Sequence, residues 1–302
     1  MPEIRLSPAP VALGKSSLRV SPIAWGMWRF ARVDAAYGQR LIETALDVGI
    51  TLFDTADIYG FTGDGGFGDA ETRLGEVLTA SPGLRDRMTI ATKGGIWPGV
   101  PYDSSRDYLM RALDDSLRRL RTDRIDLYQI HRPDILAHPQ DVARTFEDMV
   151  ASGKVAAVGV SNYTVAQTRA LLGLVDIPLA SHQPEFSPLH LDPIENGLFD
   201  LTMKHDVSVL AWSPLGGGRI ANPADERAVR VAEALDRVAA EQGISRAAAT
   251  HSWIMAHPAR VIPIAGTGKI ERVAELADAY KVVWTRKAWY DVLVASRGQR
   301  LP

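Results

Sequence analysis

The sequence predicts a (β/α)8 barrel of parallel strands, with a β-hairpin before the first barrel strand. Short β-type runs alternate with longer segments of helical period from about residue 23 to residue 265. Strands that alternate with helices predict a parallel sheet with right-handed crossovers. Eight such units without an obvious linker favour a closed barrel, and an open doubly wound sheet is the alternative. The 302 residues, 46% of them apolar, suit a single barrel domain over residues 1–302.

The individual elements follow in a regular order along the chain. LGKSSLRVS near the amino terminus is typical of a small hairpin. The eight predicted strands are 23–25, 50–53, 88–91, 125–130, 155–160, 179–182, 207–211 and 261–264. The clearest predicted helices are 37–48, 71–78, 106–120, 141–152 and 226–242. Gly49 and Gly153 follow helices where a left-handed C-cap is expected, and Ser245 is a predicted N-cap.

The composition indicates a small-molecule partner. Lys and Arg total 34 against 36 for Asp and Glu, and without runs of like charge the net charge of −2 does not indicate nucleic acid or an anionic membrane. The absence of cysteine excludes disulfides and cysteine-ligated zinc. The seven histidines form no metal-binding motif, so we expect no metal. Without a signal-like or membrane-spanning apolar run, a soluble cytoplasmic protein is expected.

Four polar side chains, Asp54, Tyr59, Lys93 and His131, lie at or just past the ends of three successive predicted strands. In a parallel barrel the carboxyl ends of the strands form the face where active sites are built. An acid, a phenol, an amine and an imidazole can polarise and protonate a carbonyl oxygen while another agent delivers a hydride. Each residue alone also has a structural explanation, as a turn cap, a loop aromatic, a surface charge or a core imidazole. The four together favour an active site.

The chemistry of these four groups depends on their mutual electrostatics. A tyrosine with a pKa near 10 protonates an alkoxide well only if its surroundings bring that pKa toward the working pH. An ammonium at Lys93 within about 4–6 Å would lower the pKa of Tyr59 by roughly 1–3 units. Asp54 would supply the carboxylate that a buried ammonium needs. A neutral His131 can donate a hydrogen bond to the substrate oxygen.

Motifs across nearly the whole chain resemble those of the aldo-keto reductase family, in that family's order. They are FDTADIYG, ATKGG, DLYQIHRPD, GKVAAVGVSN, AWSPLGG and VIPIAGTGKIERVAEL. IHRPD, LGGGR and GTGKIERV are most similar to the bacterial YdhF-like oxidoreductases. The resemblance implies a (β/α)8 TIM barrel, in agreement with the element count. It also implies that Tyr59 is the general acid, that Lys93 and Asp54 tune it, and that His131 orients the carbonyl.

The resemblance further implies a nicotinamide cofactor that lies extended across the barrel mouth. Ser161, Asn162 and Gln183 would hold its carboxamide, since a hydroxyl and two side-chain amides can satisfy an amide's donors and acceptor. Trp212 would stack on the nicotinamide ring. From the residues alone, Ser161 and Asn162 favour an ordinary strand-to-helix turn, and Trp212 favours a core position.

Two segments are candidates for binding the cofactor phosphates. The glycine run after the seventh strand permits close backbone approach, and residues 266–275 open a helix whose N–H groups suit a phosphate. The candidate residues are Ser213, Leu215, Gly216, Gly266, Thr267, Gly268, Lys269, Arg272 and Glu275. Lys269 and Arg272 could add charge for an adenosine 2′-phosphate, which favours NADPH (NADP+) over NADH. Gly268 stands where many bacterial relatives carry arginine, and Leu276 where the family commonly has an adenine-contacting asparagine.

Aromatic residues in the loops predict an apolar mouth over the polar residues. Trp28, Phe61 and Trp97 are the candidate substrate residues, with Tyr102 nearby in the chain. Trp28 matches a pocket aromatic of the family, and the others have an equal alternative as exposed loop aromatics. The glycine-rich FTGDGGFGD lacks the spacing of a dinucleotide fingerprint and is interpreted as a mobile loop.

The residues and the resemblance predict reduction of an aldehyde or ketone to an alcohol by hydride transfer. The partner is a small carbonyl compound, and a monomer is expected, as is common in the family. A nicotinamide-binding regulatory or redox-sensing protein with slow turnover, like the potassium-channel β subunits, is the alternative. A barrel hydrolase or isomerase that uses the same acid and base without a cofactor is a third hypothesis. The complete set of four polar residues favours catalysis.

Overall fold

Eight parallel strands close into a barrel in the computed structural model, which describes residues 3–301. The strands are β1 (Ala24–Gly26), β2 (Leu52–Asp54), β3 (Thr89–Gly94), β4 (Ile125–Ile130), β5 (Val155–Ser161), β6 (Leu179–Gln183), β7 (Ser208–Ala211) and β8 (Ile262–Ala265). They pair in chain order, and β8 pairs with β1 to close the ring. The predicted barrel is confirmed, and the open-sheet alternative is excluded.

Helices surround the barrel and connect its strands. They are α1 (Ala35–Asp47), α2 (Asp69–Ala80), α3 (Arg106–Leu120), α4 (Pro139–Ala151), α5 (Val165–Leu172), α6 (Asp192–Glu195), α7 (Leu198–His205), α8 (Glu226–Gln242), α9 (Arg246–Met255), α10 (Ile270–Ala274) and α11 (Arg286–Arg297). Gly49 and Gly153 take the left-handed conformation after α1 and α4, and the Ser245 side chain accepts the Ala248 N–H at the start of α9. These predicted caps are confirmed. Within residues 3–301, every helix is too short or too polar to cross a membrane.

The predicted amino-terminal hairpin covers the end of the barrel where the strands begin. It pairs Val11–Ala12 with Arg19–Val20 in antiparallel register. Leu13 between these strands is fully buried and packs in the barrel interior. Gly14 has a φ of 56°, and a Cβ there would lie 2.5 Å from the carbonyl oxygen of Ala180, so only glycine permits this close approach. Two further antiparallel pairs join Ile4–Arg5 to Val283–Trp284 and Ile96–Trp97 to Val100–Tyr102.

Side-chain alternation along the strands directs the polar residues into the barrel. Leu52 packs in the interior apolar cluster and Phe53 packs outward in the layer beneath the helices, so Asp54 points inward again. Ala91 likewise lies in the interior cluster, and Lys93 follows two residues later on the same face of β3. Because these residues end their strands, the two charged side chains lie above an apolar layer, at the end of the barrel opposite the hairpin.

Candidate active site

The four predicted catalytic side chains, called the tetrad from here on, meet at the carboxyl ends of the strands. Lys93 Nζ lies 2.6 Å from Asp54 Oδ2 and 3.2 Å from the Tyr59 hydroxyl, and it also donates to the Thr55 carbonyl oxygen at 2.7 Å. The Lys93 side chain is fully buried. Its ammonium has three donors and three acceptors, so no donor is left unsatisfied. The His131 ring lies 5.8 Å from the Tyr59 ring, centroid to centroid.

Two buried glutamines position the Asp54 carboxylate from the other side. Gln183 Nε2 donates to Asp54 Oδ1 at 2.9 Å, and Gln129 Nε2 lies 3.4 Å from the same oxygen. Gln129 is in turn held by Ser181, whose hydroxyl donates to Gln129 Oε1 at 3.1 Å. These bonds stabilise the carboxylate and its ammonium partner in the interior. Gln129 was not among the predicted site residues, although it lies two residues after the interior Leu127 on the same face of β4.

Burial and the nearby positive charge shift the pKa of Tyr59, the proposed proton donor, in opposite directions. Burial raises the pKa of the Tyr59 phenol, the Lys93 ammonium lowers it, and the pKa stays above its ordinary value of 10.0. The expected effect of Lys93 is present, but desolvation outweighs it, so the net direction differs from the sequence prediction. Burial is the largest effect on the pKa of Lys93 and lowers it, but the charges and hydrogen bonds of Asp54 and Tyr59 together raise it above its ordinary value. Tyr59 is therefore protonated at neutral pH beside a charged ammonium.

His131 is neutral at physiological pH. Burial lowers the pKa of His131 well below 6.5, and the charges of Lys93 and Arg132 lower it further. The Nδ1 atom is buried and has no hydrogen-bond partner within residues 3–301. A neutral imidazole can donate a hydrogen bond through its one N–H group, as predicted for His131 from the sequence.

The residues assigned to the nicotinamide carboxamide form one hydrogen-bonded group beside His131. Asn162 Nδ2 donates to Ser161 Oγ at 2.8 Å and to the His131 carbonyl oxygen at 3.1 Å, while Asn162 Oδ1 accepts the Trp212 indole N–H at 3.0 Å. Ser161 Oγ donates to the Gln183 carbonyl oxygen at 2.8 Å. A hydroxyl, a side-chain amide and an indole thus lie together, and this set fits a carboxamide on an aromatic ring, while the Gln183 amide nitrogen donates to Asp54.

The first phosphate-binding candidate is a tight turn after β7. The Gly216 N–H donates to the Ser213 carbonyl oxygen at 2.8 Å, and the Gly217 N–H donates to the Ser213 hydroxyl at 3.0 Å. Ser213, Gly216 and Gly217 all have positive φ, and a Cβ on Gly217 would meet nothing within 4 Å. Leu215 precedes the turn of Gly216–Gly218. The backbone is therefore open on this side, as close approach of a ligand requires.

The second candidate segment follows β8 and is held in place through its carbonyl oxygens. The Trp25 indole donates to the Thr267 carbonyl at 2.8 Å, the Tyr37 hydroxyl donates to the Gly268 carbonyl at 3.2 Å, and an Arg29 guanidinium donates to the Gly266 carbonyl. Because these three bonds use carbonyl oxygens, they do not occupy the backbone N–H groups that a phosphate would need. Of the candidate binding residues in this segment, Gly266, Lys269, Arg272 and Glu275 are exposed. Leu276 is a buried core residue.

The predicted substrate aromatics occupy two places. The exposed Trp28 ring lies 5.3 Å from the Tyr59 ring in an edge-to-face contact. Phe61 and Trp97 lie in a separate row, joined by Phe67 at centroid distances of 6.5 and 6.0 Å. Trp97 also borders a cavity of about 130 Å³ together with Asp57. Within residues 3–301, Trp28 is the one of these three aromatics whose ring contacts a ring of the tetrad. Across residues 3–301, no group of three or more His, Asp or Glu side chains is arranged to hold a metal ion.

A buried carboxyl group, Asp57, lies in the loop between Asp54 and Tyr59. Its side chain is fully buried, and neither carboxyl oxygen has a hydrogen-bond partner within residues 3–301. Burial and the nearby charge of Glu71 raise the pKa of Asp57 well above 3.8, while Arg119 lowers it in part. A carboxyl group in such surroundings favours its neutral form.

Replacing Asp57 with asparagine is expected to stabilise the protein increasingly as the pH rises. A carboxyl group whose pKa is raised by folding contributes its stability below its unfolded pKa and loses it as the pH rises through the folded pKa. The amide of the variant would not ionise, so the difference in the free energy of unfolding between variant and wild type should grow from about pH 4 to about pH 8. Urea unfolding at both pH values measures it. Asp86→Asn, on the exposed surface, is the control, and a pH-independent difference would show that Asp57 titrates normally.

Comparison with known proteins agrees with this geometry. Residues 22–292 match the model of the aldo/keto reductase family. The chain is 57% identical to the 6-dehydroglucose reductase of Novosphingobium aromaticivorans, with 100% of both chains covered, and 37% identical to the oxidoreductase YdhF of Escherichia coli, with 93% and 95% covered. The glycerol dehydrogenase AKR11B4 from Gluconobacter oxydans superposes with a TM-score of 0.84 at 26% identity over 98% of each chain. The chain belongs to the aldo/keto reductase family of oxidoreductases, as its motifs predicted.

Proposed function

We propose that this protein reduces an aldehyde or ketone to an alcohol with NADPH and that Tyr59 is the general acid. The observation that carries the proposal is the buried ammonium of Lys93, which lies between the Asp54 carboxylate and the Tyr59 hydroxyl. Burial of an ion pair contributes little to fold stability, because desolvation offsets the attraction. A positive charge 3.2 Å from a phenol is, however, what stabilises the phenolate left after proton transfer.

The roles of the residues follow from their positions. When bound, NADPH supplies the hydride that reaches the carbonyl carbon. The Tyr59 hydroxyl gives its proton to the carbonyl oxygen, and the Lys93 ammonium stabilises the resulting phenolate. Neutral His131 donates a hydrogen bond to the same oxygen and orients it. Ser161, Asn162 and Gln183 would hold the carboxamide of the cofactor, and Trp212 would lie against its ring.

The substrate class is proposed to be a sugar aldehyde. The relative that is 57% identical over the full length of both chains is a 6-dehydroglucose reductase. An aldehyde at the C6 position of glucose is an uncharged carbonyl compound with several hydroxyl groups on a ring. The exposed indole of Trp28, next to Tyr59, suits stacking against the apolar face of such a ring. Hydroxyl groups would meet the polar side chains of the mouth.

Titration with NADPH, followed by a panel of carbonyl compounds, tests the proposal. Tryptophan fluorescence should change on binding, because Trp212 lies in the predicted cofactor site. Addition of 6-dehydroglucose should then oxidise NADPH faster than addition of simple ketones. Binding without turnover of any carbonyl would favour the regulatory alternative. Failure to bind any nicotinamide nucleotide would contradict the cofactor assignment.

We expect a preference for NADPH over NADH that depends on Arg272. Arg272 and Lys269 are exposed at the start of α10, where a guanidinium and an ammonium can reach a 2′-phosphate. Loss of one charged hydrogen bond corresponds to about 10- to 100-fold. Arg272→Gln should therefore lower the ratio of kcat/KM for NADPH to that for NADH by about this factor. Arg237→Gln, on the exposed side of α8, is the matched control. Equal efficiency of the wild type with both cofactors would exclude the preference.

A further inference from the structure

Arg132 is a cation at the barrel mouth whose N–H donors have no acceptor within residues 3–301. It follows His131 directly after β4 and is partly buried. Within residues 3–301 its guanidinium makes neither an ion pair nor a hydrogen bond to another side chain or to the backbone. The nearby Asp134 is already engaged, since its two oxygens accept the Ser104 and Leu136 N–H groups at 2.9 Å each. The N–H donors of Arg132 are therefore free to bind a ligand at the mouth.

Arg132 lies close to the residues that are proposed to bind the cofactor and the carbonyl group. Its guanidinium carbon lies 5.7 Å from the Trp212 ring centroid, over the ring. Trp212 is in turn fixed by the hydrogen bond of its indole to Asn162, and Asn162 is bonded to the His131 carbonyl oxygen. The charge of Arg132 acts on both Tyr59 and His131. The guanidinium is therefore held at the mouth, between the tetrad and the carboxamide-binding group.

The chemistry of the surroundings limits what Arg132 can bind. A guanidinium presents its donors in a rigid planar fork, which suits two acceptor oxygens on neighbouring atoms. Trp28 provides aromatic surface at the same mouth, so a ligand here would combine an apolar face with paired oxygens. A sugar ring with vicinal hydroxyl groups has both features.

We propose that Arg132 is a specificity residue that binds vicinal hydroxyl groups of a sugar aldehyde while the carbonyl lies at Tyr59. This inference rests on the proposed reductase function, because the sugar is assumed to occupy the same site as the reacting carbonyl. It adds a named residue that selects a polyhydroxylated aldehyde over a simple one. An aldehyde without hydroxyl groups would leave the N–H donors of Arg132 unsatisfied. The site should therefore discriminate strongly between a sugar aldehyde and a simple aldehyde.

Binding of D-glucose, the alcohol product of 6-dehydroglucose, tests the inference without requiring turnover. Calorimetry on the protein saturated with NADPH, which cannot accept a hydride from glucose, measures the Kd of glucose for the wild type, Arg132→Met and Arg132→Lys. Methionine keeps a long side chain over Trp212 but removes all donors, and lysine keeps the charge but not the fork. We expect the Kd to rise about 10- to 100-fold in Arg132→Met and to stay elevated in Arg132→Lys. Arg144→Met, on the exposed side of α4, should bind glucose like the wild type.

Rates with two aldehydes give a second readout. The charge of Arg132 also acts on Tyr59, so Arg132→Met should alter turnover of every substrate to some extent. The ratio of kcat/KM for 6-dehydroglucose to that for 4-nitrobenzaldehyde removes this shared effect. The ratio should fall about 10- to 100-fold in Arg132→Met. An equal loss of kcat/KM for both aldehydes would mean that Arg132 acts only through its charge on Tyr59, and would overturn the inference.

The other outcomes separate this inference from the proposed function. Wild-type affinity for glucose in Arg132→Met would overturn the inference even if the reductase activity is confirmed. Tight binding of D-glucuronate with no measurable binding of glucose would identify a carboxylate site, and would also overturn it. Arginine-dependent glucose binding without reduction of any aldehyde would support the sugar subsite and contradict the reductase function.

Discussion

Replacing Tyr59 with phenylalanine should lower kcat for aldehyde reduction by about 10²- to 10⁴-fold, the usual contribution of a positioned general acid. The substitution removes one hydroxyl, the only group of the tetrad that combines a raised pKa with a position beside the Lys93 ammonium. The ring and its contact with Trp28 remain, so the shape of the mouth is preserved. Steady-state kinetics with 6-dehydroglucose measure the loss.

Affinity for NADPH distinguishes a chemical effect from a structural one. Ser161, Asn162 and Gln183, which are proposed to hold the carboxamide, make no hydrogen bond to Tyr59 within residues 3–301. The Kd of NADPH in Tyr59→Phe should therefore stay close to the wild-type value. Tyr290→Phe, on the partly exposed face of α11, is the matched control and should leave both quantities unchanged. Near-normal turnover in Tyr59→Phe would assign the proton to another donor.

Replacing Lys93 with methionine should have a large effect on both stability and activity. The change leaves the Asp54 carboxylate, only 2% exposed, without its opposite charge. Breaking a buried ion pair from one side costs about 3–5 kcal/mol of the free energy of unfolding. Tyr59 also loses the charge that lowers its pKa, so kcat should fall toward the value of Tyr59→Phe. Urea unfolding and steady-state kinetics on the same preparation measure the two effects.

A double variant separates the two consequences of losing the ammonium. Asp54→Asn combined with Lys93→Met removes both charges, so no unpaired carboxylate remains and much of the lost stability should return. Activity should not return, because the phenolate of Tyr59 still lacks a neighbouring positive charge. Recovery of activity together with stability would mean that the pair serves only the fold, and would contradict its role in tuning Tyr59.

Local sequence signals were sufficient for the fold and for the tetrad. The alternation of short apolar runs with helix-period segments identified all eight barrel strands, and α3 and α8 begin and end at the predicted residues. Period-two alternation also explains why residues such as Asp54 and Lys93 share the interior with Leu52 and Ala91. Barrel closure then brings the ends of neighbouring strands together, because the register pairs Gly26 with Asp54 and Lys93 with Gln129.

Sequence signals did not reveal groups whose importance depends on what surrounds them. Gln129 is ordinary in the sequence and acquires significance only from its place beside the Asp54 carboxylate. Arg132 follows His131, which the sequence predicted as a catalytic residue. The neighbouring sequence does not show that its guanidinium lacks an acceptor within the described residues. The loop residue Asp57 resembles a turn former until the fold buries it. Its burial depends on residues far away in the chain, such as Tyr108 and Arg119, which border the same cavity.

The sequence alone determined the barrel, the order of its elements and the identity of the four side chains that meet at its mouth, because these depend on periodicity and on position within each strand. Only the tertiary structure decided the protonation states. The pKa of Tyr59 reflects desolvation competing with the charge of Lys93, and that of His131 reflects burial among cations. Both balances depend on distances and solvent exclusion that arise when separate strands converge, and no local stretch of sequence encodes them.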